Sequence, residues 1–152
     1  GDTMQLTQKE TALLKDLTDQ EKLCIDKYTR HAQAAADPQL KNLFSQLAAG
    51  EQKHLQALNT LSTGTVPAPE AGGGALPTFT AFHQGDTPEK QNDCYLCTDA
   101  LAGEKHVSAL YDTCVFEFTT EDSRNLLNSI QKQEQAHGEM IYDYMKANQM
   151  YA

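Results

Sequence analysis

One segment rich in glycine and proline divides a chain that otherwise has the pattern of amphipathic helices. Five of the nine Gly and four of the five Pro fall between Ser62 and Lys90. On both sides of this segment, apolar residues recur at spacings of three and four, which is the period of an α-helix. No part of the chain has the alternating pattern of a strand. The sequence therefore predicts two helical regions joined by one long linker.

Each helical region contains a signal for a helix start. Asp37 followed by Pro38 is typical of an N-cap and the first residue of a helix, and the segment 119–122, Thr-Thr-Glu-Asp, supplies a similar cap. Four helices follow from these breaks, and 152 residues are enough for one domain, 1–152. The predicted parts are a helix pair over 7–61, a linker over 62–90 and a helix pair over 93–148.

The length of the linker predicts how the helices are connected. Helices of roughly 25 residues span about 37 Å, and a 29-residue linker can run back along that length. We expect an all-α, antiparallel four-helix bundle in up-down-down-up order, with one long crossover between helices 2 and 3. Val66, Leu76, Phe79 and Phe82 should hold the linker against the bundle, with Gly72-Gly73-Gly74 as its loosest point.

Charge and cysteine content limit the partners of the chain. Twelve Lys and Arg against 21 Asp and Glu give a net charge of −9, and an acidic surface repels nucleic acid and anionic lipid. We find no apolar run long enough to span a membrane and no secretion signal, so we expect synthesis in the cytoplasm. Four cysteines are too few for a disulfide scaffold, and we expect reduced thiols. They are Cys24, Cys94, Cys97 and Cys114.

A shift of 83 residues superposes the two helical regions. The shift also aligns apolar positions, such as Leu43 with Leu126 and Leu58 with Ile141. The helix pairs are therefore predicted to be duplicated halves related by approximate twofold symmetry. The polar residues that the shift aligns are Glu21 with Glu104, Tyr28 with Tyr111, Glu51 with Glu134, and His54 with His137.

The four repeated glutamates lie within apolar stripes. A lone buried carboxylate costs several kcal/mol in desolvation, and the neighbouring Lys22, Lys53 and Lys105 point off these faces. Two divalent cations would balance four carboxylates, and Glu-x-x-His places a carboxylate and an imidazole about one helical turn apart. The predicted metal ligands are Glu21 and Glu104 as terminal carboxylates, Glu51 and Glu134 as bridging carboxylates, and His54 and His137 as one imidazole for each metal.

The ligand types narrow the choice of metal. One Glu from each of two helices, with Glu-x-x-His from each of the other two, is typical of ferritin-like di-iron and di-manganese proteins. Oxygen and nitrogen ligands without thiolate favour two ions of iron, with manganese as the alternative. Tyr28 and Tyr111 lie two turns after Glu21 and Glu104. They either hydrogen-bond the ligands and assist catalysis or simply fill the core, and the sequence leaves both interpretations open.

Two stretches of the sequence resemble the Coat F family of spore coat proteins. They are EKHVSALY at 104–111, and EQAH at 134–137 followed by YDYM at 142–145, while 21–28 is a weaker copy of the first. The resemblance implies a ferritin-like bundle from a spore-forming bacterium, located at the spore coat with other coat proteins as partners. It implies no established reaction. The six-ligand pattern also resembles bacterioferritin-type di-iron centres.

These patterns leave three functions open. The first is a di-iron protein that reacts with dioxygen or peroxide, either as a ferroxidase or as a scavenger of oxidants. The second is a structural spore coat component whose metal site is either structural, with the metals only holding the helices together, or vestigial. The third is a binding module whose acidic surface contacts a basic coat partner. Only four residues follow Asn148, which leaves no fifth helix for a ferritin cage, so we expect a monomer or a homodimer.

Cysteines and histidines outside the ligand set carry weaker expectations. Cys94 and Cys97 form a Cys-x-x-Cys pair near the predicted start of helix 3, where the helix dipole lowers the pKa of a thiol. A redox role for this pair stays open. His31, His83 and His106 fall off the apolar stripes and are expected to face solvent.

Three glycines lie inside predicted helices and close to proposed ligands. They are Gly50, Gly103 and Gly138. Glycine in a helix interior costs about 1 kcal/mol relative to alanine. These glycines therefore either allow a close approach of helices or leave room for a small molecule at the metals.

Overall fold

The computed structural model describes residues 3–70 and 74–151, so Gly72 and Gly73 of the expected loosest point lie outside the described residues. Within the described ranges the chain is all-helical, as predicted, and contains no strand. None of these helices is both long and apolar enough to cross a membrane. The helices are α1 (Gln8–Ala34), α2 (Pro38–Ser62), α3 (Pro88–Glu117) and α4 (Glu121–Ala147).

Local caps set two of the helix starts at the predicted places. The Asp37 carboxylate accepts a hydrogen bond from the Gln39 N–H at 2.8 Å, and Pro38 opens α2. The Thr120 hydroxyl accepts from the Ser123 N–H at 3.3 Å at the start of α4. Each cap satisfies a backbone donor that has no partner within the helix.

α3 begins five residues earlier than the sequence predicted. The sequence predicts its start near Asp93 and a linker that extends to residue 90, but Pro88 is its first residue and Thr87 its N-cap. The Thr87 hydroxyl accepts from the Lys90 N–H at 3.1 Å. This cap uses the same threonine or aspartate followed by proline as the start of α2, but it lies in a segment where proline was interpreted as linker.

The early start of α3 overturns the expectation for its cysteine pair. Cys94 and Cys97 lie about two turns into the helix, beyond the reach of the dipole at its first turn. Burial raises the pKa of the Cys97 thiol, and the negative charge of Asp93 adds to this. All four cysteines are free, as expected.

Buried acids at the two ends of the molecule fix which helix ends meet. Glu10, near the start of α1, accepts from the Thr119 N–H at 3.0 Å just after the end of α3. Asp93, near the start of α3, accepts from the N–H groups of Ala36 at 2.8 Å and Asp37 at 3.0 Å just after the end of α1. The 83-residue shift superposes Glu10 and Asp93. Each half therefore binds the helix-helix loop of the other half with its corresponding acid.

The apolar core consists of two clusters, one toward each end of the helices. The first contains Phe44 and Tyr144, and the second contains Leu17 and Leu127, all four fully buried. Each helix passes from one cluster to the other at its repeated glutamate. Burying one such side chain contributes about 1.5–3 kcal/mol, so the two ends stabilise the bundle while its centre stays polar.

The crossover lies on the bundle only in part. Val66 packs against the second cluster, and the Phe79 ring contacts Tyr144 edge-on with ring centroids 5.5 Å apart. Leu76 and Phe82 are exposed, contrary to expectation. Near its end the crossover is held by polar contacts: the Asn148 side chain accepts hydrogen bonds from the N–H groups of Phe82 at 2.8 Å and His83 at 3.1 Å.

One of these contacts corrects the expectation that His83 faces solvent. Its side chain is 3% exposed, and its Nε2 lies 2.7 Å from Asp93 Oδ2. His31 is also mostly covered, with its Nε2 2.9 Å from Asp99 Oδ2, whereas His106 is exposed as expected. Both histidines are covered because each lies against an aspartate, Asp93 for His83 and Asp99 for His31. Helical periodicity in the sequence does not indicate such pairs.

Candidate metal centre

Four glutamates and two histidines converge between the two apolar clusters. Each helix contributes its repeated glutamate, and α2 and α4 add a histidine one turn later, so all six side chains face the same central space. The neighbouring Lys22, Lys53 and Lys105 are exposed, as expected. The exposed fractions of the six residues are 0% for Glu21 and Glu51, 1% for Glu134, 3% for His54, 6% for Glu104 and 8% for His137.

The six side chains form two overlapping groups of four. In each group, one ligand atom from every residue lies within 4.8 Å of the others. The groups share Glu51 and Glu134, and each adds one further glutamate and one histidine. Two shared and two unshared carboxylates are the donor set that a pair of neighbouring cations requires. The groups are Glu21, Glu51, His54 and Glu134, and Glu51, Glu104, Glu134 and His137.

Both histidines turn Nδ1 toward the carboxylates. Nδ1 of His54 lies 2.6 Å from Glu134 Oε1 and 3.3 Å from Glu51 Oε2. Nδ1 of His137 lies 2.8 Å from Glu51 Oε1 and 3.5 Å from Glu104 Oε1. Each imidazole therefore contacts a carboxylate of the other half, and a lone pair on Nδ1 is placed where a cation would need it.

Two tyrosines hold the terminal carboxylates reciprocally. The Tyr28 hydroxyl on α1 donates to Glu104 Oε1 on α3, and the Tyr111 hydroxyl on α3 donates to Glu21 Oε1 on α1 at 2.6 Å. Burial raises the pKa of both tyrosines well above the ordinary value, and the adjacent carboxylates add to this. Both phenols therefore stay protonated as donors and orient one oxygen of each terminal carboxylate.

Four buried carboxylate oxygens at the centre have no hydrogen-bond partner among the described residues. They are Oε2 of Glu21, Oε2 of Glu104 and both oxygens of Glu134. A buried polar atom without a partner costs about 1–3 kcal/mol, and more if charged. His54 Nδ1 lies close to Glu134 Oε1, but its direction does not make a hydrogen bond. Cations between the carboxylates would satisfy all four oxygens, so the residues fit a pair of metal ions.

The charges at the centre are held by protons when cations are absent. Burial raises the pKa of Glu21 and Glu134 well above the usual range, and the contacts with Glu51 and Glu104 respectively add to the effect. Burial opposes ionisation of Glu51, but contacts with Glu21, His137 and His54 outweigh it and hold its pKa well below the usual range. Contacts with Glu104 and Glu51 raise the pKa of His137 to about 9 despite its burial. Metal binding must displace these protons.

Gln133 contacts the site, although the ligand set predicted from the sequence does not contain it. Its Oε1 lies 2.6 Å from Nε2 of His54. Nε2 therefore carries the proton and donates to the amide oxygen, which leaves Nδ1 free to act as a ligand. The available signal was the repeat itself, because the shift places Gln133 on Gly50, which sequence analysis had singled out.

The three helical glycines differ in what surrounds them. A Cβ on Gly50 would lie 3.0 Å from Nε2 of His137, so this glycine makes room for the imidazole. A Cβ on Gly103 or Gly138 would lie 3.8 Å from Lys27 and 4.0 Å from Leu101, respectively, which is ordinary contact. These two glycines instead line grooves of about 250 Å³ and about 460 Å³.

Comparison with known proteins gives one match. Residues 92–152 match the family model described as the Coat F domain. No curated protein and no solved structure gives a significant match. The matched region contains most of α3 and all of α4, including Glu104, Glu134 and His137. The second half of this chain is therefore similar to the Coat F domain.

Proposed function

We propose that this protein is a ferritin-like dinuclear metal protein, with iron as its metal, that reacts with dioxygen or peroxide in a spore coat. One observation carries the proposal: two groups of four ligating side chains overlap in Glu51 and Glu134 at the buried centre of four helices. The buried carboxylate oxygens without a hydrogen-bond partner at the same place support it, because two cations between the carboxylates would satisfy them.

The proposed architecture is an antiparallel, up-down-down-up bundle of the ferritin-like type. The contacts of Glu10 with Thr119 and of Asp93 with Asp37 support opposite directions for α1 and α3. The Tyr144 hydroxyl near the end of α4 donates to Asp37 at the start of α2 at 2.7 Å, which supports opposite directions for α2 and α4. The crossover between Ser62 and Pro88 permits this order.

Each proposed ligand has one role. Glu21 and Glu104 are terminal ligands, each with one oxygen oriented by a tyrosine. Glu51 and Glu134 bridge, because they belong to both groups of four. The fourth member of each group is a histidine, and two divalent cations balance the four carboxylates. Mixed oxygen and nitrogen donors favour iron, with manganese as the alternative.

The proposed reaction uses the site as a buried electron source. Two ferrous ions held by these residues would supply one electron each, and with two protons from solvent this would reduce dioxygen to hydrogen peroxide, or hydrogen peroxide to two molecules of water. The chain binds the ions, and Tyr28 and Tyr111 fix the orientation of the terminal carboxylates. The apolar clusters cover the site on both sides along the helices. Iron would be oxidised in both cases. A ferroxidase would release the ferric iron, whereas a scavenger would need an external electron donor to return its iron to the ferrous state.

A structural role in the spore coat is the second candidate. The match to the Coat F domain favours it, because that family is named for the coat. In this alternative the metals either bind all four helices and stabilise the bundle without turnover, or are absent from a vestigial site. Both candidates place the protein at the spore coat with other coat proteins as partners, as a monomer or a homodimer.

Metal analysis followed by rapid mixing tests both candidates. Protein from iron-supplemented cells should contain two metal ions per chain by mass spectrometry of the metals. After anaerobic reduction, stopped-flow absorption should change on mixing with dioxygen or with peroxide. Two ions without any reaction would favour the structural candidate. Protein that binds no metal under any loading condition would contradict the dinuclear metal protein and leave the structural candidate with a vestigial site. Glu10→Ala removes a buried acid far from the centre and serves as the control: this variant should bind as many metal ions as the wild type.

A further inference from the structure

The repeat is broken at the residue before each bridging glutamate. The 83-residue shift superposes Gln133 and Gly50. Each of these two residues lies next to Nε2 of the histidine from the other half. Gln133 approaches His54 to 2.6 Å with its amide oxygen, whereas Gly50 offers His137 no side chain, and a Cβ there would already lie 3.0 Å from Nε2. One histidine is therefore fixed by a hydrogen bond, and the other faces a backbone.

A second break in the repeat lies one residue after each histidine. The shift superposes Gly138 and Leu55. Leu55 is a buried side chain. Gly138 lines a groove of about 460 Å³ between α3 and α4, and Glu104 and Glu134 line the same groove. The half that contains Gly138 therefore opens toward two of the carboxylates at the centre.

The exposed fractions agree with both breaks. Glu104 is 6% exposed and its counterpart Glu21 is 0% exposed. His137 is 8% exposed and its counterpart His54 is 3% exposed. Glu104 and His137 are therefore slightly more exposed than Glu21 and His54. A smaller groove of about 210 Å³ lies against His54 and Gln133, but neither Glu21 nor a bridging glutamate lines it.

We propose that the two metal positions are inequivalent, with a tight position at Glu21 and His54 and an exchangeable one at Glu104 and His137 that fills and empties through the α3–α4 groove. The inference rests on the proposed dinuclear site. Gln133 is a positioning residue for the tight position, because it holds His54 in the tautomer that ligates through Nδ1. Gly138 keeps the groove open.

The expected difference follows from the hydrogen bond to His54. Partners that orient a ligating histidine typically change metal affinity by 10- to 100-fold. Mn²⁺ titrated into the metal-free protein should therefore bind in two steps whose Kd values differ by at least about tenfold. Crystals grown at limiting Mn²⁺ should give anomalous density mainly between Glu21 and His54.

Substitution of Gln133 tests the tight position. Gln133→Leu keeps the approximate size but removes the acceptor, and it should weaken the first step by about 10- to 100-fold while leaving the second within about twofold. Gln133→Glu restores an acceptor oxygen and should restore tight binding. A merely structural role for Gln133 predicts equal loss of both steps and no rescue, which would overturn the inference. Melting of each metal-free variant checks that the fold is retained.

Substitution of Gly138 tests the route. Gly138→Leu gives this position the residue of the other half and should slow Mn²⁺ release to a chelator at least tenfold, with little change in Kd. Gly103→Leu places the same side chain in the α1–α3 groove and should leave release unchanged. Equal rates for Gly138→Leu and wild type would overturn the proposed route.

The outcomes separate this inference from the proposed function. A wild-type protein that binds two ions with equal affinity, and shows equal density at both positions, contradicts the inequivalence but leaves the dinuclear site intact. A wild-type protein that binds no Mn²⁺ and no Fe²⁺ overturns both.

Discussion

Buried carboxylates at the ends of the bundle differ from those at its centre in the donors around them. At the ends, Glu10 accepts hydrogen bonds from Thr7 and Thr119, and Asp93 accepts from two backbone N–H groups and lies 2.7 Å from His83 Nε2. At the centre, Glu134 has two oxygens without a partner within the described part of the chain. All three acids are at most 2% exposed, so burial does not distinguish them.

Buried acids have two different roles in this protein. Where the chain surrounds a carboxylate with donors, the acid joins two segments and stabilises the fold. Where the chain withholds donors and adds histidines, the acid is left with capacity for a cation. The same sequence repeat contains both kinds, since the 83-residue shift superposes Glu10 on Asp93 as well as Glu51 on Glu134.

The largest expected effect is the loss of metal from the centre. Glu134→Ala removes a ligand that belongs to both groups of four, so binding should fall from two ions per chain to fewer than one. The helical content measured by circular dichroism should remain, because the apolar clusters do not depend on this residue. Two bound ions in the variant would contradict a bridging role.

The second-largest expected effect is the stabilisation of the folded protein by bound metal. Cations satisfy the unpaired oxygens only in the folded state, and binding at 100 times Kd adds about 2.7 kcal/mol per site. The Tm in excess Mn²⁺ should therefore exceed the Tm in chelator by roughly 10 °C or more, at about 2–4 °C per kcal/mol for a chain of this size. Equal Tm values would show that the centre holds no cation in the folded protein.

Substitution of an acid at the end of the bundle should lower the stability of the fold without loss of metal. Asp93→Ala leaves the N–H groups of Ala36 and Asp37 without their acceptor, at about 1–3 kcal/mol for each unpaired group. The free energy of unfolding in urea should fall accordingly, while the variant still binds two metal ions. If the variant lost both metal and stability, the acids at the ends and those at the centre would not have separate roles.

The stability of the metal-free protein should fall as the pH rises from about 5 to about 9. The pKa values of Glu21 and Glu134 lie above their ordinary value of 4.5 in the folded state, so ionisation above pH 4.5 favours unfolding. His137 acts in the same direction, since its contribution is complete below pH 6.5 and is lost through about pH 9. Glu51, with its lowered pKa, reverses the slope at lower pH. A metal-free Tm that rises over this range would contradict these assignments.

The smallest effect is expected for the tyrosine that orients a terminal carboxylate. Tyr111→Phe removes the 2.6 Å hydrogen bond to Glu21 and should weaken Mn²⁺ binding by about tenfold, with little change in helical content. Phe keeps the ring and lacks only the hydroxyl. A lower Tm of the metal-free protein with unchanged Mn²⁺ binding would instead indicate that the hydroxyl stabilises the core alone.

The sequence predicts the helices and the central acids because both depend on spacing. Glu21 and Glu51 stand in apolar stripes, and the cap at Asp37 is local. Contacts between distant segments have no such pattern. Gln133 precedes a glutamate on a polar face, and its contact with His54 exists only once α2 and α4 pack. His83 belongs to the aperiodic linker, so its burial beside Asp93 had no signal in the sequence.

The acids at the ends have a consequence for how the chain associates with itself. Each one binds a loop in the opposite half, and each half contributes one tyrosine, two glutamates and one histidine to the centre. Neither helix hairpin is therefore complete, and two of them must meet to close the structure. The crossover makes this meeting intramolecular, so it does not depend on the concentration of the protein. Cutting the crossover would convert folding into a second-order reaction whose rate depends on protein concentration.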